Sequence, residues 1–240
     1  MTNLFDFKLV FTAIPELVKY LPTTFLLTVM AGIMGLVVGL LIAVIRIKNV
    51  PVLSQFFIGF VSVIRGTPII VQLYISYFGI PILLQYINYY NGTNYNINAI
   101  PGIVFAMVAL GFNQAAFDSE TIRSALLSVD KGQIEAAKSI GMTGWQVLRR
   151  VTLPEAFTVA LLPLGNSLIS LLKGTSLAFS CSVVELTAAG KIVAGRNYRF
   201  FEAYCSLAII YWIVTFLLEK IVKYLETKTR IPEEVPVCHS

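Results

Sequence analysis

Charge is what this sequence has least of. Only 13% of its residues are Asp, Glu, Lys or Arg, against ~25% in an average soluble domain. The deficit is concentrated: no charge occurs from Tyr20 to Ile45, and none from Gly66 to Phe117. A helix in water needs a polar face, and these windows have none, which excludes an ordinary soluble fold. Crossing the ~30 Å hydrocarbon core takes about 20 apolar residues in a helix, so the first window fits one span and the second more than one. Cysteine and histidine are nearly absent. Cys181, Cys205 and Cys238 are odd in number and form no C-x-x-C pair, which argues against a disulfide framework or a redox centre and leaves them as small apolar residues in or near spans. The single histidine, His239, lies near the end of the chain, so histidine-based metal or nucleophile chemistry lacks its parts. The N-terminus has no basic stretch followed by a small-residue cleavage site, and the first span is expected to stay in the mature protein.

What is present is 57% hydrophobic and predicts an all-α integral membrane protein with about five spans, near 22–45, 52–84, 99–117, 155–172 and 203–222. A polar run from Asn88 to Asn98 divides the long uncharged window. Charge returns between Asp118 and Glu155, predicting a water-facing stretch of short helices over 118–154 within a membrane domain of 21–224. Residues 1–20 and 225–240 read as flanking segments. Lysine and arginine placement gives orientation. Arg46, Lys48, Arg123, Lys131, Lys138, Arg149, Arg150, Lys220, Lys223, Lys228 and Arg230 make eleven on one side, against Lys8, Lys19, Lys191, Arg196 and Arg199, five on the other. The 118–154 loop and the C-terminus are therefore expected in the cytoplasm and the N-terminus outside, in the plasma or inner membrane. Basic residues at membrane edges account for the net charge of +5 without a nucleic-acid partner. Gly32, Gly35 and Gly39 in the first span mark a close helix-packing face.

The loop has its own grammar. Asp130 with Gln133, Thr143 with Gln146, and Thr152 with Glu155 have capping-box spacing, predicting three helix starts. Gly141 fits a helix end that needs a positive φ, and Pro154 fits the first turn of a helix. Ile134, Ala137 and Ile140 recur at helical spacing, with Met142 and Trp145 at the turn. On pattern alone this is either a loop packed on its own membrane domain or a surface for a second protein.

Glu135-Ala136-Ala137, then Gly141, then Val151-x-Leu153-Pro154 resemble the EAA loop of binding-protein-dependent ABC importer permeases. The resemblance implies the type I importer fold, with a coupling helix in this loop docking on a cytoplasmic ATPase through Glu135, Ala136, Ala137 and Gly141. It also implies a second permease chain, an ATPase dimer and an extracytoplasmic solute-binding protein. No G-x-x-x-x-G-K-[ST] loop occurs, so no cofactor is expected on this chain and ATP with Mg²⁺ belongs to the partner ATPase.

Arg65-Gly66-Thr67-Pro68 lies inside the second expected span. An arginine there costs about 2.5–3.5 kcal/mol unless it finds a partner or water, and Gly66 and Pro68 would loosen the helix around it. This run with Val71-Gln72 resembles the polar amino-acid branch of these permeases, which serves histidine, glutamine, arginine and cystine. So do Ala115-Ala116-Phe117-x-x-Glu120-x-x-Arg123, Gly132-Gln133, Asn166-Ser167 and Lys173-Gly174-Thr175-Ser176-Leu177, and the stretch from Lys173 to Phe200 is similar to permeases serving cystine. Phe117 replaces a tyrosine of that pattern and Gly174 an aspartate, which leaves Lys173 to find another partner, with Glu185 as one option. A zwitterionic amino acid needs a donor for its carboxylate and an acceptor for its ammonium. Arg65 and Lys173 are the candidate donors and Glu120 or Glu185 the acceptors, with Thr67, Gln72, Asn113, Asn166 and Ser170 as neutral partners along the pathway. Glu120 has a second reading, an ion pair with Arg123. The competing functions are an ATP-independent channel or secondary transporter, a membrane enzyme and a structural anchor. No internal repeat and no catalytic cluster is legible, and none of the three requires an ATPase-docking loop.

Overall fold

The computed structural model describes residues 5–229; Arg230, Cys238 and His239 lie outside them. Among the described residues the secondary structure is helical, and five helical stretches are long and apolar enough to cross a membrane. The chain opens with α1 (Phe7–Val18), where Asp6 caps the first turn by accepting from Lys8 N. The first expected span is α2 (Leu21–Ile47).

The second expected span is two helices, α3 (Leu53–Gly66) and α4 (Ile69–Asn91), and only the second is long enough to cross. The break is local chemistry. Pro68 brings no N–H to a continuing helix, and its ring pushes the preceding residue towards extended backbone; Thr67 is accordingly extended (φ −116°, ψ 145°). Arg65 thus stands in the last turn of a short helix, where a cation complements the negative end of the helix dipole.

After a short 3-10 turn at Ile97–Ala99, α5 runs from Gly102 to Leu127, ten residues past the expected end at Phe117. Asp118 does not terminate it, because Asp118 and Ser119 are buried against α2. α5 is the hub of the fold, packed by α2, α3, α4 and the later α8. It meets α2 through the predicted glycine face. A Cβ on Gly39 would lie 3.1 Å from the Ala115 carbonyl oxygen and from Ser119 N, so the two backbones touch. Lipid tails are as apolar as leucine, so such helices are held by close contact and hydrogen bonds rather than by escape from water.

The loop holds α6 (Lys131–Ser139) and the one-turn α7 (Gly144–Val147). A π-helical turn, Leu148–Thr152, joins α7 to α8 (Leu153–Gly174), which continues as a 3-10 segment, Thr175–Cys181. The expected helix start at Thr152 is not formed. Thr152 has helical backbone (φ −63°, ψ −48°), so its hydroxyl has no free first-turn N–H to cap, and one carboxylate oxygen of Glu155 is left buried without a partner. The mixed stretch beyond Lys173 contains α9 (Leu186–Asn197), and α10 (Phe200–Thr229) is the last span. α1 packs on α9 and α10 around buried Leu17, Leu186 and Leu207.

Candidate functional site

The helix break organises the first part of the site. Ending α3 at Gly66 frees carbonyls that a continuing helix would have used. Gln72, buried on α4, reaches back to them: its Nε2 donates to the Ile64 oxygen (2.7 Å), the Thr67 oxygen (3.1 Å) and Thr67 Oγ1 (2.9 Å). Because carbonyls only accept, the Gln72 amide has one orientation, and its Oε1 receives Asn113 Nδ2 at 3.0 Å. Thr67, Gln72 and Asn113 are therefore brought together, with Gln72 acting first as the clasp of a broken helix. Replacing it with leucine removes this donor from the Ile64 and Thr67 carbonyls, at about 1–3 kcal/mol for each group that water does not reach. Gln72→Leu should lower the melting temperature of the detergent-solubilised protein; an unchanged melt would mean that water serves these carbonyls.

Asn113, Asn166 and Ser170 border one cleft of about 430 Å³ between α5 and α8, together with Gln114, Phe117 and Ser167. That lies within the ~300–1,000 Å³ common for small-molecule sites. Its wall contains a polar group that the sequence reading passed over. Gln114 Nε2 donates to Asp118 Oδ1 (2.9 Å) and Ser167 Oγ (2.8 Å), and Ser167 Oγ donates to the same Asp118 oxygen (3.1 Å). Asp118 is 1% exposed. Its sequence signal was its charge, which marked a span end instead of a buried carboxylate.

Arg65 is not in that cleft. It borders a second one, of about 490 Å³, with Arg46, Ser62 and Glu120. Phe117 borders both, and the Arg65 guanidinium carbon sits 5.4 Å from the centre of its ring, within cation–π range. Glu120 is held by Arg46 (2.5 Å) and Arg123 (3.1 Å), so its carboxylate is already paired from α2 and from its own helix. Lys173 is exposed, and no carboxylate of the described residues lies within ion-pair distance of it. Glu185 does not serve it: Glu185 caps α9, accepting from Thr187 N (2.9 Å), Ala188 N (2.8 Å) and Tyr211 Oη (3.3 Å). Burial pushes the Glu185 carboxyl above the usual carboxylate range, against the opposing pull of these donors and of Lys191.

The loop presents a separate surface. Gly141 has φ +87° and ends α6 in a Schellman motif: Gly141 N donates to the Lys138 oxygen (2.9 Å) and Met142 N to the Ala137 oxygen (3.2 Å). Thr143 and Gln146 then form the expected reciprocal capping box (2.8 and 3.4 Å). Asp130 caps α6 through Gly132 N at 2.7 Å instead of through Gln133. Glu135, Ala136 and Gly141 are exposed, whereas Ala137 is 6% exposed and Ile134 packs onto the ends of α5 and α8. Ile140 (75% exposed) and Trp145 (67%) point away from the body, leaving an apolar patch beside the EAA run.

Known proteins share this sequence along most of its length. Residues 35–231 match the family model described as the inner membrane component of binding-protein-dependent transport systems. The chain is 38% identical to the probable amino-acid permease protein YxeN of Bacillus subtilis, over 90% of this chain and 92% of that protein. It is 36% identical to the L-cystine transport system permease protein TcyL of the same organism, over 96% and 94%. A crystal structure of an amino acid ABC transporter with histidines superposes with a TM-score of 0.80 at 33% identity, covering 95% of this chain and 100% of that one. With the spans and these matches together, the chain belongs to the permeases that form the inner-membrane component of binding-protein-dependent ABC transport systems.

Proposed function

We propose that this chain forms the translocation pathway of an ATP-driven importer for a polar amino acid. The observation that carries the reading is the coupling loop. A rigid, double-capped helix–turn–helix exposes Glu135, Ala136, Ile140 and Trp145, a surface suited to docking a separate ATPase. The ATPase supplies ATP and Mg²⁺ chemistry; its closure would move α6, and through Ile134 the cytoplasmic ends of α5 and α8. This is coupling through a packed rigid element.

The substrate class rests on relatives. YxeN and the histidine-containing structure are named for amino acids and TcyL for L-cystine; L-cystine is accordingly the first substrate to test. The cleft holding Asn113, Asn166 and Ser170 is the proposed substrate passage. The Arg65 cleft is a second station, separated from the first by Phe117, and Arg65 in it is the proposed donor to the substrate carboxylate. Lys173, beside Gly174 at the end of the first cleft, is the other donor. Basic residues orient the chain with the coupling loop and C-terminus in the cytoplasm. The working assembly is two permease chains, two ATPases and an extracytoplasmic solute-binding protein.

The experiment is mild purification from native membranes, mass spectrometry of what co-purifies, and an ATP-turnover assay, alongside uptake of labelled L-cystine by the intact cells. An ATPase in the complex that is lost on Glu135→Arg supports the assignment. A chain that purifies alone, in a preparation without ATP turnover, would return the protein to the ATP-independent transporters.

A further inference from the structure

The first cleft has a polarity that its hydrogen bonds fix. Gln114 Nε2 makes two donations, to Asp118 and to Ser167. Asp118 Oδ1 accepts from both Gln114 and Ser167, so the amide nitrogen must turn to the carboxylate and the Ser167 proton must follow it. Both N–H groups of Gln114 are thereby committed inside the wall. The amide can offer the cleft only its carbonyl oxygen.

The neighbours repeat the pattern. Asn113 gives an N–H to Gln72 Oε1, whose own orientation is dictated by the Ile64 and Thr67 carbonyls, and keeps Oδ1 free to accept. Ser170 gives its proton to the Asn166 carbonyl at 3.0 Å and keeps its lone pairs. Among the described residues no lysine or arginine lines this cleft, and the carboxyl of Asp118 lies behind its wall.

We propose that Gln114 is the acceptor for the primary ammonium of the transported amino acid, and that Asp118 and Ser167 are positioning residues that hold its oxygen towards the cleft. The inference rests on the reading of this cleft as the substrate passage. A ligand lacking a free ammonium meets oxygens it cannot satisfy.

The test uses the purified permease–ATPase complex in detergent, without nucleotide or binding protein. Tritiated L-cystine, L-glutamine, L-histidine and L-arginine are the direct probes, and the N-acetyl form of whichever binds is the competitor. The native complex should bind one of them and discriminate against its N-acetyl form. Gln114→Leu should weaken binding about 10- to 100-fold, as expected for one charge-assisted hydrogen bond, and erase most of that discrimination. Ser167→Ala, a smaller change that frees one Gln114 N–H, should weaken both in the same direction; it carries the test if Gln114→Leu fails to assemble. Asp118→Asn, which keeps an acceptor at Oδ1, should fall between Ser167→Ala and the native complex, whereas a merely structural role would lower assembly or melting temperature without changing the discrimination. If Gln114→Leu and Ser167→Ala both bind and discriminate as the native complex does, while Asn166→Ala weakens binding, the ammonium lies elsewhere in the cleft and the inference falls alone. If no labelled amino acid binds the native complex, or if Asn166→Ala is also without effect, the passage reading falls and takes the inference with it.

Discussion

Gly141→Val should leave the protein in the membrane in normal amount and cut uptake at least tenfold, with ATP turnover no longer tied to transport. Gly141 has φ +87°, a conformation that strains L-residues and is worst for β-branched ones; it costs about 1–2 kcal/mol for an ordinary side chain and more for valine. A Cβ at this position would meet nothing within 4 Å, so the Cβ itself has room and the strain lies in the backbone. Losing the left-handed turn releases the Ala137 and Lys138 carbonyls from their Schellman bonds and re-aims α7 relative to α6. The core spans do not depend on this turn, which is why insertion should survive. Gly141→Asn is the control, since asparagine tolerates the left-handed region, and should keep most of the uptake. Uptake by the valine variant equal to that of the native protein would remove the coupling role from this turn.

The second large effect is expected at Gly35, where failure should be in assembly. A Cβ there would stand 2.4 Å from Gln114 Cγ and 2.8 Å from Gln114 Cβ, with Asp118 Oδ2 at 3.1 Å. Those atoms belong to the root of a side chain fixed in a three-residue hydrogen-bond network, so they cannot swing aside. Gly35→Leu must therefore push α2 off α5, and overpacking of this kind costs about 1–3 kcal/mol or more. The lipid gives no compensating drive to repack. The variant should lose its monodisperse peak in size-exclusion chromatography and most of its recoverable protein. Gly32→Ala is the contrast: its Cβ would meet the Leu168 Cδ1 atom at 2.9 Å, the far end of a flexible side chain, and it should assemble nearly normally. Equal behaviour of the two variants would mean that α2 and α5 are not in tight contact.

Several of these features were legible because their causes are local. A charge-free window long enough to cross a bilayer is visible in the sequence itself, since each residue's transfer preference needs no neighbour from elsewhere. Gly141 and the Thr143–Gln146 box were legible for the same reason: a left-handed turn and a reciprocal cap are made by residues within a few positions of one another. The break between α3 and α4 was half legible. Gly66 and Pro68 signalled a loosened helix, but the hydrophobicity of the window favoured one long span.

What only the tertiary structure decided is which polar groups find partners far along the chain. Thr152–Glu155 has the same spacing as Thr143–Gln146, yet the first is run over by a continuous helix and the second is formed, because a cap exists only where the preceding backbone is not already helical. Glu120 was read beside Arg123, three residues away, but Arg46 on α2 also holds it. Asp118 shows the limit most plainly. From sequence alone a carboxylate at that point ends a span, because burying it unaided would be costly. Folding supplies Gln114 one turn away and Ser167 from another helix, with Gly35 leaving room for them, so a residue that sequence alone places in water becomes a buried support behind the wall of the cleft. Hydropathy and local turn geometry are properties of short segments and are written in the sequence; a buried hydrogen bond needs two segments, and only the packed fold brings them together.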